Sequence, residues 1–327
     1  MQKELKAIAI CGPTAVGKTE FSINLAERID AEIICCDSMQ IYKYMNIGTA
    51  KPDEEERRRV THHMTDFLDP LSKYSAADYA RDALSVARDI CNRGKIPVFA
   101  GGTGLYLEAV RSGRHSDNDF HDAKYVERLG RIATEKNGIE ILYGMLKEID
   151  PESAEAIHKN NVRRVIRALE IYHCSGMTKS YLDKKNNEKD PDISMMVYGL
   201  KCSSRDVLYD RINRRVDRMI SMGLADETRM LLDRGYLAPE TTASQAIGYK
   251  EMLPYITGKI GLAECIEDLK TASRHYAKRQ ITWFGSMDNI HWIDIDINGT
   301  PRVFSDMYCE IKTGIENFFA GEKYESK

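Results

Sequence analysis

The chain lacks a long apolar run, a strong charge of either sign and a regular spacing of cysteine. No stretch of its 327 residues reaches the roughly 18 apolar residues that a membrane-spanning helix needs. The polar start at residues 1–6 leads straight into a short apolar run. We therefore expect a cytoplasmic protein with no membrane partner.

The weak charge and the scattered cysteines exclude further classes of protein. A net charge of -3 argues against a surface that is basic all over, so any RNA-binding site must be a local patch. The chain has eight cysteines, and no two of them show the two-residue gap typical of structural zinc. Neither a disulfide framework nor a zinc finger is indicated. We expect the catalytic unit to be a monomer.

The residues that are present predict an α/β fold with a P-loop parallel-sheet core. The length and a hydrophobic content of 43% allow a sizeable core and two domains. Short apolar runs that predict strands alternate with amphipathic helical patterns, and this alternation favours right-handed crossovers and a parallel sheet. The predicted strands are residues 7–10, 32–36, 96–100, 195–200 and 291–295.

An inserted all-helical domain is predicted within this core. The strand signal is missing from residues 114–192, where the patterns indicate helices near 124–136, 139–149, 151–157, 162–174 and 178–185. The exit of the insertion, residues 184–191, is charged and poor in apolar residues, which predicts a linker. The core then comprises residues 1–113 and 193–327, with further helices at 205–221, 224–234 and 262–283.

Residues 12–19 match the phosphate-loop pattern G-x-x-x-x-G-K-[ST] between a predicted strand and a predicted helix. Backbone amides and the helix N-terminus attract an anion, Lys18 adds a full positive charge, and the Thr19 hydroxyl can reach Mg²⁺. We expect a polyphosphate or pyrophosphate here, although kinases, NTPases and transferases could share such a loop. The predicted pyrophosphate-binding residues are Gly12, Thr14, Ala15, Val16, Gly17, Lys18 and Thr19.

Two other segments follow predicted strands and so reach the same edge of the sheet, where open α/β sheets bind ligands. Asp37 follows the second strand and could bind magnesium, accept a proton or merely cap a helix. Thr103 follows the third strand, within a glycine-rich segment at residues 101–106. Its hydroxyl would face the same crevice, unless the segment is a plain strand-to-helix turn.

Seven segments in order resemble the tRNA dimethylallyltransferase family, also called tRNA isopentenyltransferase, of the bacterial type. They are GPTAVGKT at 12–19, DSMQIYKYMNIGTAKP at 37–52, YSAADYARDA at 74–83, GGTGLY at 101–106, RRVIRALEIY at 163–172, AIGYKEML at 246–253 and AKRQITWF at 277–284. Departures are modest: Asn161 stands where the family usually has Asp, and Ser273 replaces the common Thr. Neither departure touches the residues of the implied chemistry.

The resemblance implies transfer of a dimethylallyl group from dimethylallyl pyrophosphate to the exocyclic amine of the adenosine just 3′ of the tRNA anticodon. It implies that Asp37 takes the proton, that Thr103 hydrogen-bonds near the reacting centre, and that Arg215 neutralises the leaving pyrophosphate with Lys18 and Mg²⁺. The implied tRNA-binding residues are Asp37, Ser38, Met39, Gln40, Thr103, Arg163, Arg164, Arg167, Gln245, Gly248, Tyr249, Lys250, Lys278, Arg279 and Gln280.

Basic residues at helical spacing fit this interpretation, because such clusters can contact the phosphates of an anticodon stem-loop. They are Arg163 with Arg167, Arg211 with Arg215 and Arg218, and Arg274 with Lys278 and Arg279. A solvated surface is the competing explanation for each. Three alternatives to the transferase remain: an ATP-dependent kinase, an enzyme that prenylates free adenine nucleotides, and a non-catalytic RNA-binding module.

Overall fold

The fold is organised around one six-stranded parallel sheet, with strand order β3-β2-β4-β1-β5-β6. The computed structural model describes residues 5–112, 120–187 and 192–320. The strands are β1 (Lys6–Cys11), β2 (Ala31–Cys35), β3 (His62–His63), β4 (Ile96–Ala100), β5 (Ser194–Lys201) and β6 (Ile290–Asp294). A small antiparallel hairpin follows, made of β7 (Asp296–Ile297) and β8 (Thr300–Pro301).

Both faces of the sheet are covered by helices, which explains why its central strands are apolar throughout. In β1, Ala7, Ala9 and Cys11 belong to one buried cluster, whereas Ile8 and Ile10 belong to the cluster on the opposite face. The core helices are α1 (Lys18–Ile29), α2 (Glu54–Arg59), α3 (Ala76–Asn92), α4 (Gly104–Arg111), α10 (Arg205–Ser221), α11 (Leu224–Asp233), α12 (Tyr249–Ile256), α13 (Leu262–Gly285) and α14 (Phe304–Ala320).

Between α4 and β5 the described chain is helical and has a hydrophobic core of its own. Leu129, Leu142, Leu146, Val165 and Leu169 are buried together in that core. The helices are α5 (Ala123–Thr134), α6 (Gly138–Ile149), α7 (Pro151–Ala156), α8 (Val162–Ser175) and α9 (Lys179–Asn187).

A third buried cluster supports the carboxyl edge of the sheet, where the chain leaves the strands. Ile41, Tyr42 and Met45, which follow β2, pack with Val216 of α10 and Leu231 of α11. The segment after β2 therefore packs against helices from the carboxyl-terminal half of the chain.

The predicted fold class is confirmed: the five predicted strands and the helical insertion are present. The prediction missed β3, because His62–His63 is only two residues long and contains no apolar run. The predicted linker at 184–191 is wrong at its start, since α9 continues to Asn187. Residues 113–119 and 188–191, where the insertion was predicted to begin and end, lie outside the described residues, so the domain boundaries stay predictions. Within the described ranges no helix is long and apolar enough to cross a membrane.

Candidate active site

The loop between β1 and α1 has the backbone of a phosphate-binding loop. Gly12 has a φ of 138°, and a Cβ at this position would lie 2.5 Å from the backbone oxygen of Leu200 on β5. Only glycine fits such a conformation and such a close approach. Val16 is 1% exposed and anchors the loop in the core, while α1 begins at Lys18 and directs its N-terminus at the loop.

Lys18 folds back over its own loop. Its Nζ donates hydrogen bonds to the backbone oxygens of Gly12, at 3.0 Å, and Pro13, at 2.7 Å. Burial, together with the neighbouring Arg215 guanidinium, lowers the pKa of Lys18 to about 8, and the nearby Asp37 carboxylate opposes that shift. Two cations are thus held close together beside the loop, an arrangement that a phosphate ligand would stabilise.

Asp37 lies just beyond the carboxyl end of β2, with one oxygen fixed and the other open. Its Oδ1 accepts hydrogen bonds from the backbone N–H groups of Met39, at 2.9 Å, and Gln40, at 3.4 Å. Across the described chain, no residue donates a hydrogen bond to its Oδ2. Asp37 lines the cleft, so this oxygen is free to accept a proton from a bound molecule.

Thr103 ties the loop after β4 to the loop that carries Asp37. Its Oγ1 accepts a hydrogen bond from the backbone N–H of Ser38 at 2.9 Å and can donate to the Ser38 hydroxyl at 3.3 Å. Its own N–H donates to the backbone oxygen of Cys36 at 3.1 Å. The three residues predicted as catalytic therefore meet at one edge of the sheet, since Asp37 also interacts electrostatically with Arg215.

Tyr276 of α13 belongs to this group, although the sequence analysis did not include it. Its hydroxyl hydrogen-bonds the Thr103 side chain, and burial beside Asp37 raises the pKa of the Tyr276 phenol. The same burial lowers the pKa of Arg215. The signal that could have found Tyr276 is its helical spacing, because it lies one turn before Gln280 on the same face of α13.

Lys18, Asp37, Arg215 and Tyr276 line one cleft of about 1180 Å³. This volume exceeds the roughly 300–1,000 Å³ of ordinary small-molecule pockets. Its walls come from the loops after β1, β2 and β4, from residues 46–54, from the cleft-facing side of α10, from residues 245–248, and from α13. The cleft has room for a phosphate ester and a second substrate side by side.

Comparisons with known proteins agree with this geometry. Residues 40–287 match the family model described as IPP transferase, and residues 5–68 match the one described as isopentenyl transferase. The chain is 42% identical over 320 residues to the tRNA dimethylallyltransferase of Caldanaerobacter subterraneus subsp. tengcongensis, which covers 97% of this chain and 98% of that relative. The chain belongs to the tRNA dimethylallyltransferase family.

Further relatives extend this match to solved structures. The tRNA dimethylallyltransferase of Bacillus anthracis is 47% identical over 296 residues, with 90% of this chain and 92% of that one covered. The full-length tRNA isopentenylpyrophosphate transferase of Bacillus halodurans is 43% identical, with 97% and 96% covered and a TM-score of 0.67. A eukaryotic dimethylallyltransferase acting on tRNA is 30% identical, with 98% and 81% covered and a TM-score of 0.80. None of these relatives favours the kinase alternative.

The structure places the predicted tRNA-binding residues of this transferase in cleft-lining, exposed and internally bonded positions. Ser38, Met39 and Gln40 line the cleft beside Asp37. The exposed group is made up of Arg163, Arg164, Gln245, Lys250, Lys278 and Arg279. These residues are placed where a large ligand could reach them, and their contact with tRNA stays a prediction.

Three other predicted tRNA-binding residues make internal contacts. Tyr249 is 0% exposed, and its hydroxyl donates to Glu227 Oε1 at 2.6 Å. Gln280 is 5% exposed; it accepts from the Thr14 N–H at 2.7 Å and donates to the Gly102 oxygen at 2.9 Å. Gly248 packs its backbone against Gly48. Such burial counts against a direct side-chain contact with RNA, although the prediction itself stays untested.

Glu227 explains why Tyr249 is held inside. Besides the Tyr249 hydroxyl, its carboxylate accepts hydrogen bonds from the consecutive N–H groups of Asn46, Ile47 and Gly48, at 2.9 to 3.1 Å. The Glu227 carboxylate therefore fixes residues 46–48 at one edge of the cleft. The same carboxylate holds the buried Tyr249 hydroxyl.

The residues at the phosphate loop suit Mg²⁺, although they could not enclose it alone. The Thr19 hydroxyl and the Asp37 carboxylate line the cleft, and oxygen atoms of this kind are the ligands that Mg²⁺ prefers. No group of three or more His, Cys, Asp or Glu side chains could hold a metal within the described ranges. That fits an ion held by one or two protein oxygens together with the phosphates of a substrate.

Proposed function

We propose that this enzyme transfers a dimethylallyl group from dimethylallyl pyrophosphate to the exocyclic N6 amine of the adenosine 3′-adjacent to the anticodon in tRNA, and releases pyrophosphate. The observation that carries the proposal is the open oxygen of Asp37, which lies beside two neighbouring cations, Lys18 and Arg215. A proton acceptor and a cationic phosphate site within one cleft match an alkylation in which a diphosphate leaves.

The reaction balances with the groups present. The lone pair of the adenine N6 forms a bond to the first carbon of the dimethylallyl group, and the bond between that carbon and the diphosphate oxygen breaks. The electrons of the broken bond leave with the pyrophosphate, and the N6 proton passes to the Asp37 carboxylate. The amine becomes acidic as its bond to carbon forms, so a strong base is not needed.

Positioning and charge stabilisation supply most of the rate in this proposal. Lys18, Arg215 and the backbone amides of residues 15–19 hold the diphosphate and neutralise the charge that builds on it, while the Thr14 N–H stays bonded to Gln280. A magnesium ion at Thr19 would add further neutralising charge. Thr103, braced by Ser38 and Tyr276, positions the amine against the reacting carbon.

The tRNA is bound through the exposed basic residues, and its target base is turned out of the stack into the cleft. Arg163 and Arg164 on α8, with Lys278 and Arg279 on α13, are exposed and can contact phosphates. Those contacts give affinity and salt dependence rather than sequence selectivity. The enzyme acts as a monomer in this proposal.

An enzyme acting on free adenine nucleotides would need the same chemistry but no such surface. The exposed basic residues on α8 of the insertion favour the tRNA substrate over a mononucleotide.

One assay tests the proposed function directly. The protein is incubated with unmodified tRNA, Mg²⁺ and labelled dimethylallyl pyrophosphate, and in a parallel reaction with labelled ATP. The modified nucleoside is then analysed by mass. The proposal expects label from the prenyl donor on a single adenosine beside the anticodon. Label that enters tRNA only from ATP, or that enters free adenine nucleotides instead of tRNA, would refute it.

A further inference from the structure

Helix α10 carries arginines on two of its sides. Arg211 and Arg215 are four residues apart, which is about one helical turn, and both are partly buried beside the phosphate loop. Arg214 and Arg218 are exposed, and Arg214 pairs with Asp210 one turn earlier. The sequence analysis placed Arg211 on an RNA-binding face, but its side chain turns towards the loop instead.

Arg211 is attached to the phosphate loop by a single hydrogen bond. Its Nε donates to the backbone oxygen of Ala15 at 2.8 Å. One of its terminal nitrogens lies only 3.3 Å from the place where a Cβ would stand on Gly17. Gly17 has a φ of 97°, a left-handed backbone conformation that favours glycine, and a side chain at this position would press against the guanidinium. The Nε bond fixes the guanidinium plane next to the loop.

The terminal nitrogens of Arg211 have no protein acceptor in the part of the chain that the structure describes. Asp296 interacts with Arg211 electrostatically, but its carboxylate already accepts hydrogen bonds from the Ser203 N–H, at 3.0 Å, and the Gly299 N–H, at 2.9 Å. Arg211 therefore presents unused donors to the cleft that it lines.

The charges around the loop do not balance within the protein. Lys18, Arg211 and Arg215 form no ion pair with any residue of the described ranges, and Asp37 is the acid that interacts with two of them. Three cations against two carboxylates, Asp37 and the already hydrogen-bonded Asp296, leave an excess of positive charge, which suits a ligand with several negative charges. A guanidinium, with its planar fork of donors, matches two oxygens of one phosphate.

We infer that Arg211 is a further ligand of the diphosphate. Its Nε holds the loop, and its terminal nitrogens donate to phosphate oxygens beside Arg215. Arg211 is then a donor-binding residue rather than an RNA contact. The inference rests on the proposed function for the identity of the donor, but the affinity for inorganic pyrophosphate tests it independently.

Calorimetric titration with inorganic pyrophosphate compares the wild type with Arg211→Gln and Arg211→Lys. The control is Arg205→Gln, which removes an exposed arginine from the same helix that does not line the cleft. We expect Arg211→Gln to weaken pyrophosphate binding about 10- to 100-fold, the range for losing a hydrogen-bonded charge. Arg211→Lys should lie between it and the wild type, because a lysine keeps the charge but not the fork. Arg205→Gln should stay within about twofold.

The same variants are tested for binding of unmodified tRNA over a range of salt concentrations and for thermal unfolding. We expect tRNA affinity to be unchanged in Arg211→Gln. If pyrophosphate affinity is unchanged while tRNA affinity falls with a weaker salt dependence, Arg211 is an RNA contact. If only the melting temperature falls, it is a brace for Ala15. Both results overturn the inference. A wild-type protein that binds pyrophosphate but transfers no prenyl group would instead refute the proposed function alone.

Discussion

The two ends of strand β2 carry carboxylates in opposite circumstances. At the amino end, Glu32 is buried and accepts hydrogen bonds from two nitrogens of Arg93, at 2.5 and 2.7 Å. Its Oε2 also lies 2.7 Å from His63 Nε2. These partners hold the pKa of Glu32 down at about 2. Beyond the carboxyl end, Asp37 keeps one oxygen open, and its cationic neighbours Lys18 and Arg215 are paired with no acid of the described chain.

The amino end of β2 therefore serves stability, and its carboxyl end serves function. The amino edge satisfies its buried charge with fixed partners and so joins β2, β3 and the end of α3. The carboxyl edge leaves charge unbalanced, which costs stability in the free protein and is offset only when an anion binds. Substitutions at the two ends should therefore have opposite signatures.

Asp37→Asn is expected to have the largest effect and to affect activity alone. Removing the proton acceptor should slow transfer about 10²- to 10⁴-fold, the usual contribution of a general base. Binding of tRNA and of pyrophosphate should be kept, and the melting temperature should change little, because an asparagine oxygen can still accept the hydrogen bonds of the Met39 and Gln40 N–H groups. Single-turnover rates with saturating substrates measure the effect. A variant with a normal rate would remove Asp37 as the base.

Glu32→Gln should affect stability alone. Losing charged hydrogen bonds at a buried carboxylate should lower the free energy of unfolding by about 1.5–3 kcal/mol, as measured by urea titration. The control Asp89→Asn removes an exposed partner of the same Arg93 and should cost less than about 1 kcal/mol. Transfer per folded molecule should match the wild type. A slower rate in folded Glu32→Gln would break the separation between the two ends.

The pH dependence of stability tests the role of Glu32 at the amino end of β2. The folded-state pKa of Glu32 is about 2, below the ordinary unfolded value of about 4.3. The stabilisation is therefore fully present above the unfolded value and is lost as the pH falls towards 2. The difference in free energy of unfolding between the wild type and Glu32→Gln should therefore shrink as the pH falls from about 4.3 to about 2. A deficit that stays constant down to pH 2 would show that Glu32 acts through packing rather than charge.

At the carboxyl edge, a smaller effect is expected in mild base. Lys18 has a pKa lowered to about 8, so it loses its charge as the pH rises through that value. The apparent affinity for pyrophosphate should fall by up to about tenfold per pH unit above 8. Calorimetry without Mg²⁺ measures this fall, and Lys18→Arg, which keeps its charge, is the control for ionisation of the ligand. Equal pH profiles for the two proteins would contradict the assignment.

The smallest effect is expected on the RNA side. Arg163→Ala removes an exposed arginine and should weaken tRNA binding uniformly, reducing the slope of log affinity against log salt by about one. Arg167, in contrast, donates to the Phe120 oxygen and to Glu170, both at 2.7 Å. Arg167→Ala should therefore also lower the stability of the insertion. If Arg163→Ala leaves the salt dependence unchanged, α8 does not contact phosphate through Arg163.

Local pattern was enough to predict most of the fold. The strands that became β1, β2, β4, β5 and β6 are apolar runs flanked by helical periodicity, and α10 was predicted over the same residues that it occupies. Weak patterns failed, as at β3 and at the carboxyl end of α9. The predicted helix ended at Lys185, yet α9 continues through Asn187.

The sequence also placed Asp37, Thr103 and the phosphate loop at one edge, since parallel strands end together. It could not assign the side chains whose roles depend on how distant helices pack. Gln280 hydrogen-bonds Thr14, which is 266 positions away in the sequence. Arg211 hydrogen-bonds Ala15, which is 196 positions away. Basic or polar spacing alone cannot distinguish an outward face from one that turns towards the loop.

Calorimetry with dimethylallyl pyrophosphate and with ATP, at equal salt and Mg²⁺, tests the central claim most directly: that the unbalanced cations at the carboxyl edge serve a prenyl diphosphate. The account predicts clear binding of dimethylallyl pyrophosphate and weaker binding of ATP. Tight binding of ATP by a protein that gives no heat with dimethylallyl pyrophosphate would contradict it.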